Sequence, residues 1–416
     1  LSRHTSGVIY ISFEVRKEVT MQKKTVRDED VGSKRVLMRA DFNVPLDQNG
    51  IIEDDTRIRA CLPTITYLIH HRARIILCSH LGRPHGKVAE HLRLEPVARR
   101  LSELLQRPVR PLREAIGPRV EQVVSEMQDG DLVLLENLRF YPGEEVNNPD
   151  FAHGLSRLAD IFVNDAFGAS HRAHASIVGL AAYLPCVAGL LMEREIEQLS
   201  SLFEDPVRPF AAIMGGAKVG DKIGILENII PRMDLVLVGG GMGATFLKGG
   251  GFDVGISAVE HDKMEMVGRI LQKAEDLGVR IFLPKDVVVA EELEASSIAR
   301  VVSVEQIPTD CMIVDIGPLT IAEFTKELEK CRTVAWNGPM GVFEVPQFSD
   351  GTKSIATVLA ELDATTVIGG GSTVEAVTQL GLADRMTHVS TGGGASLQFL
   401  SEKTLPGVAV LAGKGE

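Results

Sequence analysis

Charged and polar side chains recur directly after short apolar runs in the first half of the sequence. Arg35-Val36-Leu37-Met38-Arg39 opens into Asp41-Phe42-Asn43-Val44-Pro45, and Arg74-Ile75-Ile76-Leu77-Cys78 into Ser79-His80-Leu81-Gly82-Arg83-Pro84. The run 131–135 opens into Glu136-Asn137-Leu138-Arg139-Phe140, and Ile161-Phe162-Val163 into Asn164-Asp165-Ala166-Phe167-Gly168, then His171-Arg172-Ala173-His174. A helical segment beginning near Asp55 adds Arg57. Guanidinium groups and imidazoles at one edge of a sheet can bind a small polyanion, because the Arg fork pairs bidentately with phosphate or carboxylate. A single Arg or His after a strand is usually a solvated loop residue, but four strand ends with the same chemistry point to an anion site.

The second half ends its apolar runs in glycine. Leu235-Val236-Leu237-Val238 runs into Gly239-Gly240-Gly241, and Thr333-Val334-Ala335-Trp336 into Asn337-Gly338-Pro339-Met340-Gly341. Thr366-Val367-Ile368 runs into Gly369-Gly370-Gly371-Ser372-Thr373, and His388-Val389-Ser390 into Thr391-Gly392-Gly393-Gly394. Glycine lets main-chain N–H groups approach a phosphate, and a helix N-terminus behind the loop favours negative charge. Tight strand-to-helix turns would also account for any one such loop. Four of them, with Lys218 and Lys222 after Gly215-Gly216, point to a nucleotide phosphate chain. The P-loop order is absent, and Gly239-x-Gly241-x-x-Ala244 is a weak dinucleotide fingerprint.

These loops need strands and helices to hold them. Apolar runs alternate with helical patterns throughout, the signature of β-α units with parallel sheets buried on both faces. In open sheets of that kind, ligands sit beyond the carboxyl ends of the strands. The stretch 190–222 divides the two unlike sets of loops. It starts as an amphipathic helix with Met192, Ile196, Leu199 and Phe203 on the apolar face and Glu193, Arg194, Glu195 and Glu197 between them. It breaks at Glu204-Asp205-Pro206, and Pro209 to Met214 then forms an apolar run that empties into Gly215-Gly216-Ala217-Lys218-Val219-Gly220-Asp221-Lys222.

Length and composition fit two α/β domains. The chain has 416 residues, 44% hydrophobic and 24% charged, ample for two cores. No apolar run approaches the length of a membrane span, and residues 1–20 do not read as a secretory signal. Met21 reads as a natural start, which leaves residues 1–20 as an extension outside the fold. Five widely spaced cysteines with no C-x-x-C pair suit a reducing cytoplasm. The net charge of −12 argues against a nucleic-acid partner. Nearly all the excess acid lies in the second half, so the first can still hold a basic pocket.

At this point the chain resembles the phosphoglycerate kinase family. The likeness runs from about Lys34 to about Pro406, and its motifs are specific: Arg39 to Pro45, Ser79 to Pro84, Glu136 to Phe140, Asn164 to Gly168, Gly215 to Val219, Trp336 to Glu344 and Ser390 to Ser396, all in the family's order. The resemblance implies two Rossmann-like domains with mainly parallel sheets, separated by a cleft and joined by a hinge helix. The expected division is 21–190 for 3-phosphoglycerate, 191–207 for the hinge, 208–395 for the nucleotide, and 396–416 as a tail returning to the first domain. It also implies reversible phosphoryl transfer from 1,3-bisphosphoglycerate to ADP, giving 3-phosphoglycerate and ATP, with Mg²⁺ on the nucleotide, in a cytoplasmic monomer.

By motif match, Asp41, Phe42 and Asn43 would lie against the glycerate. His80, Leu81, Gly82, Arg83, Arg139 and Arg172 would surround the 3-phosphate, and Arg57 would be nearest the acyl phosphate. Gly216, Lys218 and Lys222 would follow the transferred group and the ADP phosphates. Gly239, Gly240, Asn337 and Pro339 would form the adenosine cleft, with Glu344 at the ribose. Gly370, Gly371, Ser372 and Thr373 would meet the β-phosphate. Two departures stand out. Ser372 replaces the Asp that the family usually places near the nucleotide-bound Mg²⁺, leaving a neutral, weaker ligand. Lys285 occupies a usually apolar position and reads as a surface change. Ser372 alone supports an alternative, a catalytically weakened nucleotide-binding homologue. The Gly239 fingerprint alone supports a nicotinamide-dependent dehydrogenase, which leaves the Arg/His set unexplained.

Overall fold

The computed structural model describes residues 23–204, 206–217, 219–402 and 404–415, without the side chains of Phe203, Glu204 and Asp221. The expectations for residues 1–20, for the Phe203 side chain and for Lys218 fall outside these described residues.

The apolar runs of the first half form a six-stranded sheet of β1 (Arg35–Arg39), β2 (Arg74–Cys78), β3 (Val109–Pro111), β4 (Leu132–Leu134), β5 (Ile161–Asn164) and β6 (Cys186–Ala188). Their order is β3-β4-β2-β1-β5-β6. Every pair is parallel. Val36, Leu37, Met38, Ile75, Ile76 and Leu77 are fully buried, as expected of strands covered on both faces. The winding reverses between β1 and β5, so their loops diverge and leave a crevice. The loops after these two strands carry Asp41 and Arg172.

The second half repeats the plan. Its six-stranded sheet contains β7 (Phe210–Met214), β8 (Leu235–Val238), β9 (Arg280–Phe282), β13 (Thr333–Asn337), β14 (Thr365–Gly369) and β15 (His388–Val389), in the order β15-β14-β13-β7-β8-β9. Here the reversal falls between β7 and β13, the strands that end in Gly215-Gly216 and Asn337-Gly338. A small third sheet departs from the parallel plan. β10 (Asp286–Ala290) pairs antiparallel with β11 (Arg300–Ser303) and β12 (Met312–Ile316). No α-helix separates these three strands, only a 3-10 turn at Val304–Gln306 between β11 and β12, and short connections favour antiparallel pairing over the long crossover that parallel strands need. Lys285, just before β10, pairs at the surface with Glu323 at 2.8 Å.

The helix Leu190–Glu204 lies between the two large sheets. Its face of Met192, Leu199 and Leu202 is buried in a core that runs from Leu37 and Phe162 on one side to Phe210, Val236 and Phe399 on the other. Glu195 corrects the expected polar face: it is fully buried. It sits three residues after Met192 and four before Leu199, hence on the same face. Burial there requires partners, and it has them. Thr391 N (2.7 Å), Thr391 Oγ1 (2.8 Å) and Ser390 Oγ (2.8 Å) donate to its carboxylate, with His388 Nε2 at 2.9 Å. At the start of the helix, Leu191 N and Met192 N donate to Asp165 Oδ1 at 3.0 and 3.2 Å. One helix is thus tied to the loop after β5 and to the loop after β15.

Beyond the helix Gly394–Glu402 the chain returns to the first sheet. Gly407 N donates to Ser170 O and Ala412 N to Cys186 O, each at 2.9 Å, while Lys24 N donates to Ala412 O at 2.8 Å. All five cysteines are buried and free. Among the described residues no helix is long and apolar enough to cross a membrane.

Candidate active site between the two sheets

A cleft of about 1330 Å³ is lined by strand-end loops from both halves. Its first wall carries Asp41, Asn43, Arg57, His80, Gly82, Arg83, Arg139 and Arg172, and adds His171. The second carries Gly216, Lys222, Gly240, Asn337, Pro339, Glu344 and Gly370 to Thr373. Among the described residues, three that were expected there do not line it. Phe42 and Leu81 turn their side chains into the core of the first half. Gly239 lies behind Gly240, close against Met340.

Buried polar bonds fix the first wall. Ser79 Oγ accepts Phe42 N at 2.8 Å and donates to Ala40 O at 2.9 Å, joining the loops after β1 and β2. Asn43 Oδ1 accepts Gly82 N at 2.9 Å. Asn137, also buried, donates to Leu81 O and Leu92 O and accepts from the N–H of Arg139, so it sets the backbone from which Arg139 projects. Arg57, the second residue of the helix Thr56–His70, donates to Asp41 Oδ2 at 3.0 Å.

Arg39 and Glu144 are buried organisers that the sequence reading left out. The Arg39 guanidinium is 1% exposed and donates to Ser176 Oγ (2.9 Å), to Ala40 O and to His80 Nδ1 (3.1 Å). Ser176 Oγ in turn donates to Glu144 Oε1 at 2.6 Å. Because Nδ1 faces an Arg donor, the His80 proton belongs on Nε2. Burial, then Arg39, Arg139, Arg172 and Arg57, hold the His80 imidazole well below its ordinary range, so it is neutral. Burial, then Arg139, Arg39, Arg172 and His171, push His174 down to about 4. Arg139 is 4% exposed and donates to Gly82 O at 2.7 Å. Its Nε lies 3.1 Å from Glu145 Oε1, an ion-pair distance without hydrogen-bond geometry. Burial and the neighbouring Arg172 lower Arg139 to about 10, still cationic at neutral pH. This wall therefore presents several cations and no carboxylate beyond Asp41, which is an arrangement that attracts a phosphate.

The second wall is built from main chain. Gly215 N donates to Asn337 O, Gly216 N to Pro339 O and Gly240 N to Met340 O, at 2.8 to 3.0 Å, locking the turns after β7, β8 and β13 together. Gly338 N donates to Thr373 Oγ1 at 2.7 Å, which adds the turn after β14. Gly338 has φ 98°, and a Cβ there would strike the Gly215 carbonyl, so no other residue fits. Lys222 Nζ donates to Gly215 O at 2.8 Å. The side-chain amide of Asn337 is buried with neither Nδ2 nor Oδ1 partnered. A ligand in the cleft can satisfy it. Among the described residues no group of three or more His, Cys, Asp or Glu could hold a metal ion. Ser372 is exposed at the start of the helix Gly371–Gln379, whose first turn has no acidic residue. The described residues do not make a protein-built Mg²⁺ site.

Two unlike walls, one cationic and one of glycine turns, suit two phosphorylated ligands that meet in the middle. Comparison with known proteins identifies the family. The family model described as phosphoglycerate kinase matches residues 26–403. The chain is 54% identical over 394 residues to the phosphoglycerate kinase of Pelotomaculum thermopropionicum, and 52% identical over 398 residues to that of Dictyoglomus turgidum, in each case covering 95% of this chain and all of the relative. The structure of phosphoglycerate kinase from Coxiella burnetii superposes with a TM-score of 0.81 at 40% identity, and that from Pyrococcus horikoshii with 0.83 at 33%, each covering 93% of this chain and 98% of the other. With the relatives matched over their full length, this chain belongs to the phosphoglycerate kinase family and is a kinase of glycolysis and gluconeogenesis that reversibly transfers a phosphoryl group from 1,3-bisphosphoglycerate to ADP.

Proposed function

We propose that the cationic wall binds 3-phosphoglycerate or 1,3-bisphosphoglycerate and the glycine-turn wall binds ADP or ATP. The observation that supports this is the meeting of two strand-reversal points, of opposite chemistry, across one cleft. In this reading Arg83, Arg139, Arg172 and the Nε2–H of His80 hold the 3-phosphate, and Asp41 and Asn43 orient the glycerate. Arg57 faces the acyl phosphate. Gly216, Gly240, Asn337 and Pro339 cradle the nucleotide, with Glu344 toward the ribose and Gly370 to Thr373 at the β-phosphate. Phe42, Leu81 and Gly239 act only through the backbone they support. Lys218 and Lys222 follow the transferred phosphoryl group. Lys222 is positioned by its bond to Gly215 O, whereas the role of Lys218 rests on its motif.

Phosphoryl transfer passes through a loose transition state whose charge is spread over the equatorial oxygens. The protein's work is therefore to align donor and acceptor and to place cations, and no covalent nucleophile is required. Arg57 supplies charge from one wall and the two lysines from the other. Mg²⁺ enters as part of the nucleotide substrate, as is general in the family. The cleft exceeds the roughly 300 to 1,000 Å³ of a single small-molecule site, which suits two ligands held apart until closure. Closure also excludes the water that would hydrolyse the acyl phosphate. Residues 21–190, 191–207, 208–395 and 396–416 serve as the working division into substrate unit, hinge, nucleotide unit and returning tail. The five free, buried thiols support a cytoplasmic location, and the walls of the cleft come from one chain, which supports a monomer.

The test is Lys218→Ala, assayed by 3-phosphoglycerate-dependent ATP consumption. Turnover is expected to fall at least about a hundredfold with the melting temperature little changed, as for loss of one transition-state cation. Intact turnover would remove this lysine from the mechanism.

A further inference from the structure

We infer that, in the turn after β14, this chain meets the nucleotide diphosphate with neutral donors and no carboxylate for a metal to bridge, and so binds metal-free ADP nearly as tightly as Mg·ADP. The inference rests on the nucleotide assignment above and concerns its dependence on metal.

Two independent features place the diphosphate. The helix Gly371–Gln379 starts from Gly370 at φ 85° with no side-chain cap, and its first turn holds no acidic residue. Val374 N is the first to meet a helix carbonyl, that of Gly370, so the preceding N–H groups face the cleft. Beside them lies Asn337, 4% exposed, with both ends of its amide unpartnered. A Cβ on Gly370 would come within 2.9 Å of Asn337 Nδ2 and of Oδ1, so the amide sits directly beneath this turn. A buried amide left unpaired is costly, and a phosphate oxygen accepting from Nδ2 relieves part of that cost.

The charge on this turn decides the metal dependence. Ser372 is the exposed side chain at the helix start, and it is neutral. The carboxylates among the described lining residues of this wall are Glu344, in the loop after β13 and assigned to the ribose, and Glu402, at the end of the helix Gly394–Glu402; neither lies in the turn after β14 that carries Ser372. Free ADP carries roughly three negative charges and Mg·ADP roughly one, so a carboxylate at position 372 would repel the first and attract the second. A hydroxyl does neither. The helix N-terminus and Asn337 act on the phosphates in both forms.

The experiment is a titration of the full chain with ADP, in Mg²⁺-saturated buffer and in EDTA at matched ionic strength. It is read by the fluorescence of Trp336, the single tryptophan, whose indole N–H donates to Gly338 O at 2.8 Å within the site. The ratio of the metal-free Kd to the Mg²⁺ Kd is expected to stay within about threefold for the native chain, and to rise at least about tenfold in Ser372→Asp. Ser372→Asn has the shape of Asp without its charge and should leave the ratio at the native value. A native ratio above about tenfold, or an equal rise with Asn and Asp, would overturn the inference while leaving the nucleotide site in place. Absence of ADP binding in both buffers would overturn the site assignment itself.

Discussion

Glu195 joins the central helix to the loop after β15, and its removal should loosen that joint by a calculable amount. The carboxylate accepts from Thr391 N, Thr391 Oγ1 and Ser390 Oγ and contacts His388 Nε2, all within 2.9 Å. Not all of these groups lose everything in Glu195→Ala. Ser390 Oγ keeps Ser396 Oγ at 2.5 Å and Gly392 N at 3.1 Å. His388 has no second partner, because its Nδ1 is already buried without one. Two or three buried groups are then stranded at about 1 to 3 kcal/mol each, with a small cavity besides, so the loss should be about 3 to 5 kcal/mol. Glu195→Gln keeps the volume and one accepting oxygen for Thr391, and should cost about 1 to 2 kcal/mol. Urea unfolding followed by far-UV circular dichroism and by Trp336 fluorescence would measure both. Trp336 reports the second half alone, so a shift of its transition away from the dichroism curve would show that the halves have been uncoupled. Coincident curves with Ala and Gln both within about 0.5 kcal/mol of native would refute the reasoning, since a buried joint of this kind cannot be that cheap to break.

Two further outcomes follow from the cationic wall. Arg39 is buried behind the cleft lining and acts by holding His80. Arg39→Lys, which cannot span Ser176, Ala40 and His80 together, should raise the KM for 3-phosphoglycerate about tenfold while kcat changes less, as expected when a bidentate site is given a point charge; an unchanged KM would separate His80 from the substrate. His174, lowered to about 4, makes stability depend on pH. Below the ordinary imidazole value near 6.5 the unfolded chain binds the proton that the folded chain refuses, so stability falls as pH drops from about 6.5 to about 4, by up to about 3 kcal/mol. His174→Gln should flatten that part of the acid limb in urea midpoints taken at pH 7 and pH 4.5, and an acid limb of unchanged slope would show that other groups carry it.

The strand ends were readable because parallel strands buried on both faces leave only their carboxyl ends to do chemistry. Each of Asp41, His80, Arg139, Arg172, Gly216, Asn337 and Gly370 follows an apolar run, and each lines the cleft. What stayed hidden depends on contacts between distant parts of the chain. Arg39 ends β1 and reads from its neighbours as one more strand-end arginine; it is buried because Ser176, 137 residues on, and His80 converge on it once β5 lies beside β1. Glu195 did leave a trace, at the i+3 and i−4 positions between Met192 and Leu199. A charge there looks like an interruption of the apolar face until the loop after β15 supplies its donors. Phe42 and Leu81 show the opposite case. Motif position put them in the site, yet both are apolar residues beside polar ones, and burial claimed their side chains.

The two tethers of the central helix make closure a consequence of where the ligands are proposed to bind. Asp165, which receives the N–H groups of Leu191 and Met192, opens the same loop that carries His171 and Arg172. Thr391, bound to Glu195, opens the loop whose Gly392, Gly393 and Gly394 line the nucleotide side. A phosphate drawn to Arg172 therefore acts on a segment that ends on the start of the helix, and a nucleotide acts beside a segment bonded to it one turn later. Gly392 packs against Phe167, and the rings of Phe167 and Phe399 meet at 6.1 Å, so the two loops also touch each other. Neither ligand alone sets both ends of that joint. Occupancy of both walls fixes both loops at once, which is the physical condition for closing the cleft only when donor and acceptor are present together.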